Sequence, residues 1–429
     1  MQPSLLSRRL LPFLLTGFSS GLPLLVLVHQ LPAWLTDQGV SLKLLAGFAL
    51  LRLPYSFKYL WAPLLDHTDP LGLGRRRSWM VLSQLVLVIS LPGMAYVSPS
   101  SLLNINLPGG STLPIAGLML IGMWIAFWGA TQDIVLDAYR QEVLEPDEIG
   151  SATGLHVGAY RMAVLIPGSL ALVLKDNYAW SWGQTFYLSA AALIPGLILS
   201  FFIKEPAGKV GERSFRHAVL DPFKEFIQRW GWKNAFFIIL LIMLYKIGDG
   251  LASQLMTPFY RWLGYSFTEI GVAAKQAMLW GGVIGSFAAG IWMSRISIVK
   301  ALFFFGIAQT LAIGGMWVLS IWKATWGMPG VYVLIGVLIL DAIGMALGTA
   351  ALTTLLSRVT HRDYTATQFA LLSSLITLPQ VLINVHADKV VAAWGWSAFF
   401  LLCMCISLPA LIMVIIFRQR LNRYVSKAF

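Results

Sequence analysis

The chain has 429 residues, of which 57% are hydrophobic and only 12% are charged. This charged fraction is about half that of an ordinary soluble domain, so the chain cannot cover a soluble fold with polar side chains. The net charge of +12 would suit a nucleic-acid-binding protein only if the basic residues formed a face of a soluble fold, which this composition excludes. The sequence therefore predicts an integral membrane protein.

Twelve apolar stretches, each of roughly 20 residues, follow one another along the chain. We predict transmembrane helices at 11–35, 44–65, 78–98, 113–136, 151–174, 184–203, 234–258, 267–293, 299–322, 330–356, 366–391 and 396–417. The first stretch is too long for a signal peptide and has no Ala-x-Ala-like cleavage site, so we interpret it as a retained helix. The predicted fold class is an all-α membrane protein with twelve transmembrane helices.

A polar stretch at 204–233 divides the chain into an N-terminal half, 1–203, and a C-terminal half, 234–429. "GLPLLVLVHQLPAWLTDQGVSLKLLAGFA" in the first half is similar to "GLASQLMTPFYRWLGYSFTEIGVAA" in the second, and "VLEPDEIGSATG" is similar to "VTHRDYTATQFA". Chance likeness between apolar sequences is the alternative explanation. Two six-helix halves in parallel repeat, joined by a linker, describe the major facilitator fold, in which the substrate cavity lies between the halves.

The basic residues indicate the orientation of the chain in the membrane. Most of the 31 lysines and arginines lie in the two tails, in the linker and in the loops after even-numbered helices. Loops on the cytoplasmic side of a membrane carry this excess of positive charge. We therefore expect both termini in the cytoplasm.

Ionisable residues inside predicted membrane helices are candidates for function, because each is costly unless it faces a cavity or a partner. The basic members are Arg52, Lys58, Arg161, Lys246 and Lys275, and the acidic members are Asp133, Asp137, Asp249 and Asp341. The basic surplus favours an anionic ligand, since arginine holds a carboxylate through two hydrogen bonds and lysine supplies a point charge. We expect Lys58 to be an exception and to extend toward the charged end of its helix.

Two pairs of these residues share a helix face. Lys246 and Asp249 are three residues apart, and they either pair with each other or bind the substrate. Asp133 and Asp137 are four residues apart, and mutual repulsion should raise the proton affinity of one carboxylate, as a proton carrier requires. Asp137 could instead pair with Arg140 or with the arginines that follow helix two, and Asp341 is either a third proton site or a structural hydrogen-bonding group.

The segment "PYSFKYLWAPLLDHTDPLGLGRRRSW" joins predicted helices two and three. Asp66 is followed by glycines and by Arg75, Arg76 and Arg77, an arrangement that major facilitator transporters carry in this loop. We predict that Asp66 pairs across the loop with the arginines or with neighbouring helix ends and acts as a gate on one side of the membrane.

Signatures of enzymes and metal sites are absent from the sequence. It contains no P-loop, no glycine-rich dinucleotide turn, no His-Glu-x-x-His and no metal-binding spacing of Cys and His. Cys403 and Cys405 are two residues apart on one helix and point to different sides, which favours neither a disulfide nor a zinc site. We expect a protein that is not an enzyme, holds no cofactor and draws its energy from an ion or solute gradient.

Nine motifs occur in order between about Gly17 and Leu421: "GFSSGLPL", "LPAWLTDQGVSLK", "PYSFKYLWAPLLDH", "GRRRSW", "ATQDIVLDAYRQEVL", "AYRM", "LYKIGDG", "TATQFALLSSL" and "WGWSAFFLL". By these motifs the chain resembles the AmpG-type muropeptide permeases of the Gram-negative inner membrane. The resemblance implies proton-driven import of N-acetylglucosaminyl-1,6-anhydro-N-acetylmuramyl peptides for cell-wall recycling, with an anionic glycopeptide, protons and the lipid bilayer as partners.

The resemblance also implies roles for particular residues. Its motifs include Gln132, Arg161, Lys246, Asp249 and Gln368 as candidates for substrate binding, and Asp133 and Asp137 as candidates for proton coupling. The charge pattern adds Lys275 to the substrate-binding candidates and Asp341 to the proton-coupling candidates. We expect the importer to be a monomer and to bind no nucleic acid.

Two features leave the substrate open. Many permeases of this type continue with two further helices after the twelfth, and "LPQVLINVHADKVV" lacks the expected glycine-rich pattern. Shorter relatives in the same broad family import siderophores, so a siderophore importer is the first alternative. A membrane sensor that binds a ligand without moving it is the second, although the linker is too short to hold a signalling domain.

Overall fold

The computed structural model describes residues 11–38, 48–97, 102–106, 112–206, 215–265, 269–270, 274–361, 364–384, 387–419 and 421. Throughout these ranges the regular structure is helical except for one short hairpin. In a membrane only helices and closed barrels satisfy all backbone hydrogen bonds internally, so apolar segments of this length fold as helices.

The N-terminal half contains helices that are repeatedly divided by short π or 3₁₀ turns. They are α1 (Pro12–Leu25), a π turn (Val26–Gln30), α2 (Leu31–Asp37), a 3₁₀ turn (Phe48–Arg52), α3 (Leu53–Phe57), a 3₁₀ turn (Lys58–Leu60), α4 (Ala62–His67), α5 (Arg75–Gly93), a 3₁₀ turn (Met94–Tyr96), α6 (Gly117–Val143), α7 (Pro146–Met162), a π turn (Leu165–Leu170), α8 (Ala171–Asn177), α9 (Trp182–Ala191) and α10 (Ile194–Phe202). Pro23 lies just before the first π turn, and Pro167 lies within the second. Proline removes one backbone donor, which favours such local departures from α-helix.

The hairpin precedes α6. Strand β1 (Leu102–Asn106) pairs antiparallel with β2 (Thr112–Ala116), with Leu102 opposite Ala116 and Asn106 opposite Thr112. The prediction that a helix covers 113–136 is therefore wrong at its start, because the helix begins only at Gly117.

The linker and the C-terminal half contain longer and more regular helices. They are α11 (Phe215–Trp230) in the linker, then α12 (Trp232–Tyr245), α13 (Ile247–Gln254), α14 (Met256–Leu263), α15 (Lys275–Met293), α16 (Ile298–Trp326), α17 (Val331–Val359), α18 (Thr365–Asn384) and α19 (Ala387–Ile416). The helix α19 bends at Gly395, whose φ of 77° is a left-handed conformation that glycine adopts without strain.

Nine helices in the described ranges are long and apolar enough to cross a membrane, which makes the chain a multi-pass membrane protein. They correspond to nine of the twelve predicted segments. The other three are 44–65, whose described part is a succession of short turns and helices, 267–293, which contains α15, and 366–391, in which α18 has a shorter apolar stretch, Thr365–Ile376.

The two halves meet at two main places. At the first, α7 packs against α15 and α17, and a Cβ on Gly154 would lie 2.5 Å from the Cα of Gly290, so the backbones of α7 and α15 touch. Ser151 also donates a hydrogen bond to the Gly290 carbonyl over 3.2 Å. At the second, α18 packs against α4 and α6. The end of the bundle at which α11 contacts α4 and α18 is called the linker side below.

Candidate functional site

A cavity of about 1110 Å³ lies between the two halves. Its walls come from α1, α2, α6, α7, α8, the two π turns and the 3₁₀ turn at Lys58 of the N-terminal half, and from α15, α17 and α18 of the C-terminal half. Its polar lining residues are His29, Lys58, Asp133, Asp137, Arg140, His156, Tyr160, Arg161, Ser169, Gln276, Thr349, Thr353 and Ser373. The remaining lining is largely apolar, as in most ligand-binding sites.

Lys58 and Asp133 form an ion pair in the cavity wall. The Lys58 Nζ lies 2.5 Å from a carboxylate oxygen of Asp133, and their side chains are 8% and 19% exposed. The other carboxylate oxygen of Asp133 accepts a hydrogen bond from the Ser20 hydroxyl over 2.7 Å. Three segments, α1, the 3₁₀ turn at Lys58 and α6, therefore converge on one carboxylate.

The expected position of Lys58 was wrong. Lys58 is eight residues before Asp66, and the expectation was that its side chain extends to that charged end. In the structure this part of the chain consists of the short helices α3 and α4 separated by a 3₁₀ turn, with Pro54 and Pro63 at the starts of the two helices. The ammonium group lies in the cavity wall instead of at the rim, because Asp133 of α6 pairs with it there.

Asp137 lies one turn of α6 further toward the linker side. It accepts a hydrogen bond from Arg140 Nη2 over 2.7 Å, and Lys58 Nζ is 4.0 Å from its other oxygen. The predicted alternative in which Asp137 pairs with Arg140 is the arrangement that the structure shows. Lysine, arginine and the two aspartates thus form one connected cluster with no net charge.

Arg161 is the remaining cation in the described part of the cavity wall. It lies near the end of α7, beside Tyr160 and facing Gly282 of α15, where a Cβ would come within 2.5 Å of the guanidinium. No carboxylate of the described residues lies within 4.0 Å of it, in contrast to Lys58 and Arg140. Its charge is therefore available to an anionic ligand.

Beyond the linker-side end of the cavity, a second polar cluster joins the halves. Asp66 at the end of α4 accepts hydrogen bonds from Arg76 Nη2 at 2.7 Å, from the backbone N–H of Ala366 at 3.2 Å and Thr367 at 2.9 Å, and from the Thr367 hydroxyl at 2.8 Å. A carboxylate is stabilised at the start of α18, because the first N–H groups of a helix have no helical acceptor and carry partial positive charge. We call this cluster, Asp66, Arg76, Glu142, Thr365 and Thr367, the lock.

Glu142 at the end of α6 completes the lock. Its carboxylate lies 2.5 Å from Arg76 Nη2 and 3.1 Å from Arg75 Nη2, and it also accepts a hydrogen bond from the Thr365 hydroxyl. Arg76 in turn donates to the Thr365 hydroxyl over 2.6 Å. Because Arg76 and Glu142 are nearly inaccessible, the lock is a buried charge network in which removal of one member leaves others unpaired.

Arg75 and Arg77 have supporting positions beside the lock. Arg75 Nη1 donates to the Asp66 carbonyl over 3.1 Å, and Arg77 Nη2 donates to the Phe201 carbonyl over 2.6 Å. Glu205 accepts hydrogen bonds from the backbone N–H groups of Arg76 and Arg77 at the start of α5, over 2.9 and 3.0 Å. Among the contacts of the described residues, Arg76 is the one of the three predicted gating arginines whose side chain reaches the C-terminal half.

The candidates of the C-terminal half lie behind the cavity wall. Lys246 and Asp249 form an ion pair of 2.5 Å, and Lys246 also donates to Gln309 over 3.0 Å. Asp341 is 3% exposed and one of its carboxylate oxygens has no hydrogen-bond partner among the described residues. None of these residues is in contact with the cavity, although Ala342, next to Asp341, lines it.

Gln368 lies away from the cavity, which corrects its expected position in a substrate site. Its amide donates to the Pro222 carbonyl over 2.9 Å and to Glu225 over 2.6 Å, and it accepts from Arg229 over 3.3 Å. The face of α18 that carries Phe369 and Ser373 lines the cavity, whereas Gln368 on the adjoining face holds the linker helix α11.

Two further candidates have different outcomes. Gln132 is fully buried, its amide has no hydrogen-bond partner among the described residues, and it does not line the cavity. The side chain of Lys275 lies outside the described residues; its backbone begins α15, next to Gln276 of the cavity wall. In the described part of the chain no group of three His, Cys, Asp or Glu residues could hold a metal ion.

Several residues of the two clusters were not predicted. Ser20, Glu142, Glu205 and the pair Thr365 and Thr367 are distant in sequence from the residues that they contact. For Glu142 a signal was present, because an acidic residue at the end of a helix facing three arginines is electrostatically matched. Serine and threonine carry no comparable signal, since they are common in membrane helices as packing residues.

Comparison with known proteins gives both close and distant relatives. A family model described as Acetyl-coenzyme A transporter 1 matches residues 12–177. An uncharacterized protein of Haemophilus influenzae is 38% identical over 96% of this chain and 95% of its own length. The anhydromuropeptide permease of Escherichia coli K12 is 35% identical over 95% of this chain and 79% of the permease. A putative transporter AmpG 4 of Rickettsia felis is 29% identical over 96% of this chain and 97% of its own length.

Solved structures share the fold. The human organic anion transporter MFSD10 has a TM-score of 0.64 at 16% identity, covering 96% of this chain and 100% of that structure. The proton:xylose symporter XylE, a major facilitator protein, has a TM-score of 0.61 at 16% identity, covering 95% of this chain and 94% of that structure. These likenesses confirm the predicted major facilitator fold.

Proposed function

The chain belongs to the anhydromuropeptide permease family, a family of transporters with the major facilitator fold, and on this premise we propose that it imports anhydromuropeptides together with protons. The observation that carries the proposal is the 35% identity to a named anhydromuropeptide permease over 95% of the chain. The transporter is proposed to lie in the bacterial inner membrane as a monomer with both termini in the cytoplasm.

The size and charge of the cavity support a large anionic ligand. Its volume of about 1110 Å³ slightly exceeds the range of roughly 300–1,000 Å³ that is usual for drug-sized ligands, and it therefore has room for a disaccharide that carries a short peptide. Arg161 supplies a guanidinium that has no carboxylate partner among the described residues. We assign to Arg161 the binding of a peptide carboxylate, through two parallel hydrogen bonds.

The proton is assigned to Asp133. Its carboxylate faces the cavity between Lys58 and Ser20, so a proton can reach it from the same compartment as the ligand. Protonation of Asp133 removes the partner of Lys58 and leaves a positive charge in the cavity wall, which an anionic ligand offsets. Binding of the proton and of the anion would therefore favour each other, as symport requires. Asp137 and Asp341 are the alternative proton sites.

The lock supports alternating access. Residues of the lock close the linker side beneath the cavity, with Asp66 and Arg76 from the N-terminal half and Thr367 from the C-terminal half. In this arrangement the ligand enters from the side opposite the linker. Separation of the halves at the lock would then release the ligand on the linker side.

Uptake into proteoliposomes tests the proposal. The purified chain is reconstituted, and entry of labelled N-acetylglucosaminyl-1,6-anhydro-N-acetylmuramyl tripeptide is measured with and without an imposed pH gradient. We expect accumulation that requires the gradient and that unlabelled muropeptide abolishes by competition, while a ferric siderophore and acetyl-coenzyme A do not compete. Uptake that ignores the gradient would refute proton coupling, and the absence of uptake would refute the substrate.

A further inference from the structure

Two buried side chains at the linker-side end of the cavity have hydrogen-bonding groups that the protein does not use. Arg140 is 0% exposed and donates from Nη2 to Asp137, but its Nε and Nη1 have no partner among the described residues. His156 is 4% exposed, and its Nδ1 likewise has no partner in the described part of the chain. Buried polar groups are normally paired, so two such groups on the wall of one cavity indicate a missing ligand group.

These groups lie at a different depth from Arg161. His156 and Arg161 are five residues apart on α7, which corresponds to about 7.5 Å along a helix axis. Arg140 comes from α6, three residues before its end at the lock. The cavity therefore presents donors at two levels, one near its middle and one near the lock.

We propose that Arg140 and His156 form a second anion subsite, which binds one carboxylate of the ligand while Arg161 binds another. This inference rests on the proposed function and deepens it. The guanidinium contributes the N–H groups that Asp137 leaves unused, and a neutral imidazole protonated on Nδ1 contributes a further donor. Asp137 does not saturate Arg140, because its second oxygen faces Lys58 at 4.0 Å.

The arrangement selects a ligand with two separated carboxylates. The cluster of Lys58, Asp133, Asp137 and Arg140 has no net charge, so this subsite recognises a carboxylate through oriented donors more than through attraction over distance. The peptide of an anhydromuropeptide carries several carboxylates along its length, and it could reach both levels. A ligand with a single carboxylate could occupy only one of them.

A cycle between protein and ligand variants tests the subsite. Two probes are used, the anhydromuramyl tripeptide with free peptide carboxylates and the same tripeptide with those carboxylates amidated. The dissociation constant of each probe is measured by calorimetry on the protein in nanodiscs. Arg140→Gln and His156→Gln are compared with the wild type, and Arg295→Gln is the matched control, because Arg295 is exposed on the connection between α15 and α16. The double variant Asp137→Asn/Arg140→Gln removes the ion pair as a unit and maintains the charge balance.

We expect Arg140→Gln to weaken binding of the acidic tripeptide about tenfold, the effect of one charged hydrogen bond, and to leave binding of the amidated probe nearly unchanged. His156→Gln and the double variant should show the same dependence on the probe. Equal weakening of both probes, or no weakening of either, overturns the subsite, and so does a wild type that binds the amidated probe as tightly as the acid. A wild type that binds neither probe refutes the proposed substrate instead.

Discussion

Substitution of Asp66 by asparagine should open the linker side of the transporter. One carboxylate oxygen of Asp66 accepts from Arg76 and from the Ala366 N–H, and the other accepts from the N–H and the hydroxyl of Thr367. Asparagine retains one acceptor oxygen and places an NH₂ group against the donors on the other side. At least one hydrogen bond that connects the halves is then lost, and those that remain have a neutral partner instead of a carboxylate.

The magnitude follows from the kind of hydrogen bond. Hydrogen bonds to a charged acceptor contribute about 1.5–3 kcal/mol each, so the loss of one removes at least about 1.5 kcal/mol from the closed state. A change of this size shifts the equilibrium between closed and open states by more than tenfold. Arg76 keeps Glu142 as a partner over 2.5 Å, so the variant should fold.

Distances between spin labels measure this shift. Labels on Leu71 and Arg295, both exposed on the linker side, report on the separation of the halves, after Cys403 and Cys405 have been replaced by serine. We expect a longer distance to become dominant in Asp66→Asn and to be a minor component in the parent protein.

Asp69→Asn is the matched control, because it changes an aspartate of the same loop that bonds only within its own half. Asp69 accepts from Gly72 and Gly74 over 2.9 Å each and from the Ser78 hydroxyl. Although burial raises the pKa of Asp69, these hydrogen bonds lower it overall, so the control also loses a charge at neutral pH. The reasoning about the lock is refuted if the two variants give the same distance distribution.

Three further substitutions test the cavity and the linker. Arg161→Ala should raise the KM for the muropeptide roughly 10- to 100-fold, because it removes a charged hydrogen-bonding pair. The control Arg295→Ala, at an exposed position, should leave the KM unchanged. Equal KM values for both variants would show that Arg161 does not belong to the site. Asp133→Asn should abolish the dependence of uptake on the pH gradient, while exchange of labelled for unlabelled substrate continues. The control Asp147→Asn, at an exposed position, should retain gradient-driven accumulation. Gradient-driven accumulation by Asp133→Asn would show that another carboxylate carries the proton. Gln368→Ala should lower the Tm by about 2–5 °C, because hydrogen bonds to the linker helix are lost, and it should leave the KM unchanged. A raised KM with an unchanged Tm would show that Gln368 belongs to the substrate site.

Hydropathy and charge patterns predicted the membrane spans and the lock region well, because both depend on local sequence. A long apolar run must form a spanning helix whatever surrounds it. An aspartate that is followed by a glycine-rich turn and arginines is expected to form an ion pair with one of those arginines. Asp66 and Arg76 are ten residues apart and do pair. The partners on α18, about 300 residues later, depend on the packing of the two halves and left no signal in the loop itself.

Residues on the cavity wall were harder to predict, since their assignment requires the face of each helix. The closeness of Lys58 to Asp66 in the sequence predicts a position at the rim, but Asp133 on α6 holds the ammonium group in the cavity wall. Gln368 lies next to Phe369, which lines the cavity, but a rotation of one residue on a helix directs its side chain to the linker helix. The presence of a charged or polar residue in a membrane helix therefore marked a candidate, but it did not show whether the side chain points into the cavity.

The positions of the two clusters connect the cavity to the lock through shared helices. On α6, Asp133 lines the cavity and Glu142 belongs to the lock, nine residues or about 13.5 Å away along one helix. On α18, Phe369 lines the cavity and Thr365 belongs to the lock. A ligand can shift the equilibrium between closed and open states only by the difference in its affinity for the two. Because α6 and α18 both line the cavity and both belong to the lock, any movement that separates Glu142 from Thr365 must also change the distance between the cavity walls, and this provides the required difference in affinity. The linker helix α11 holds α18 through Gln368 at the same end, so it limits how far that helix can move.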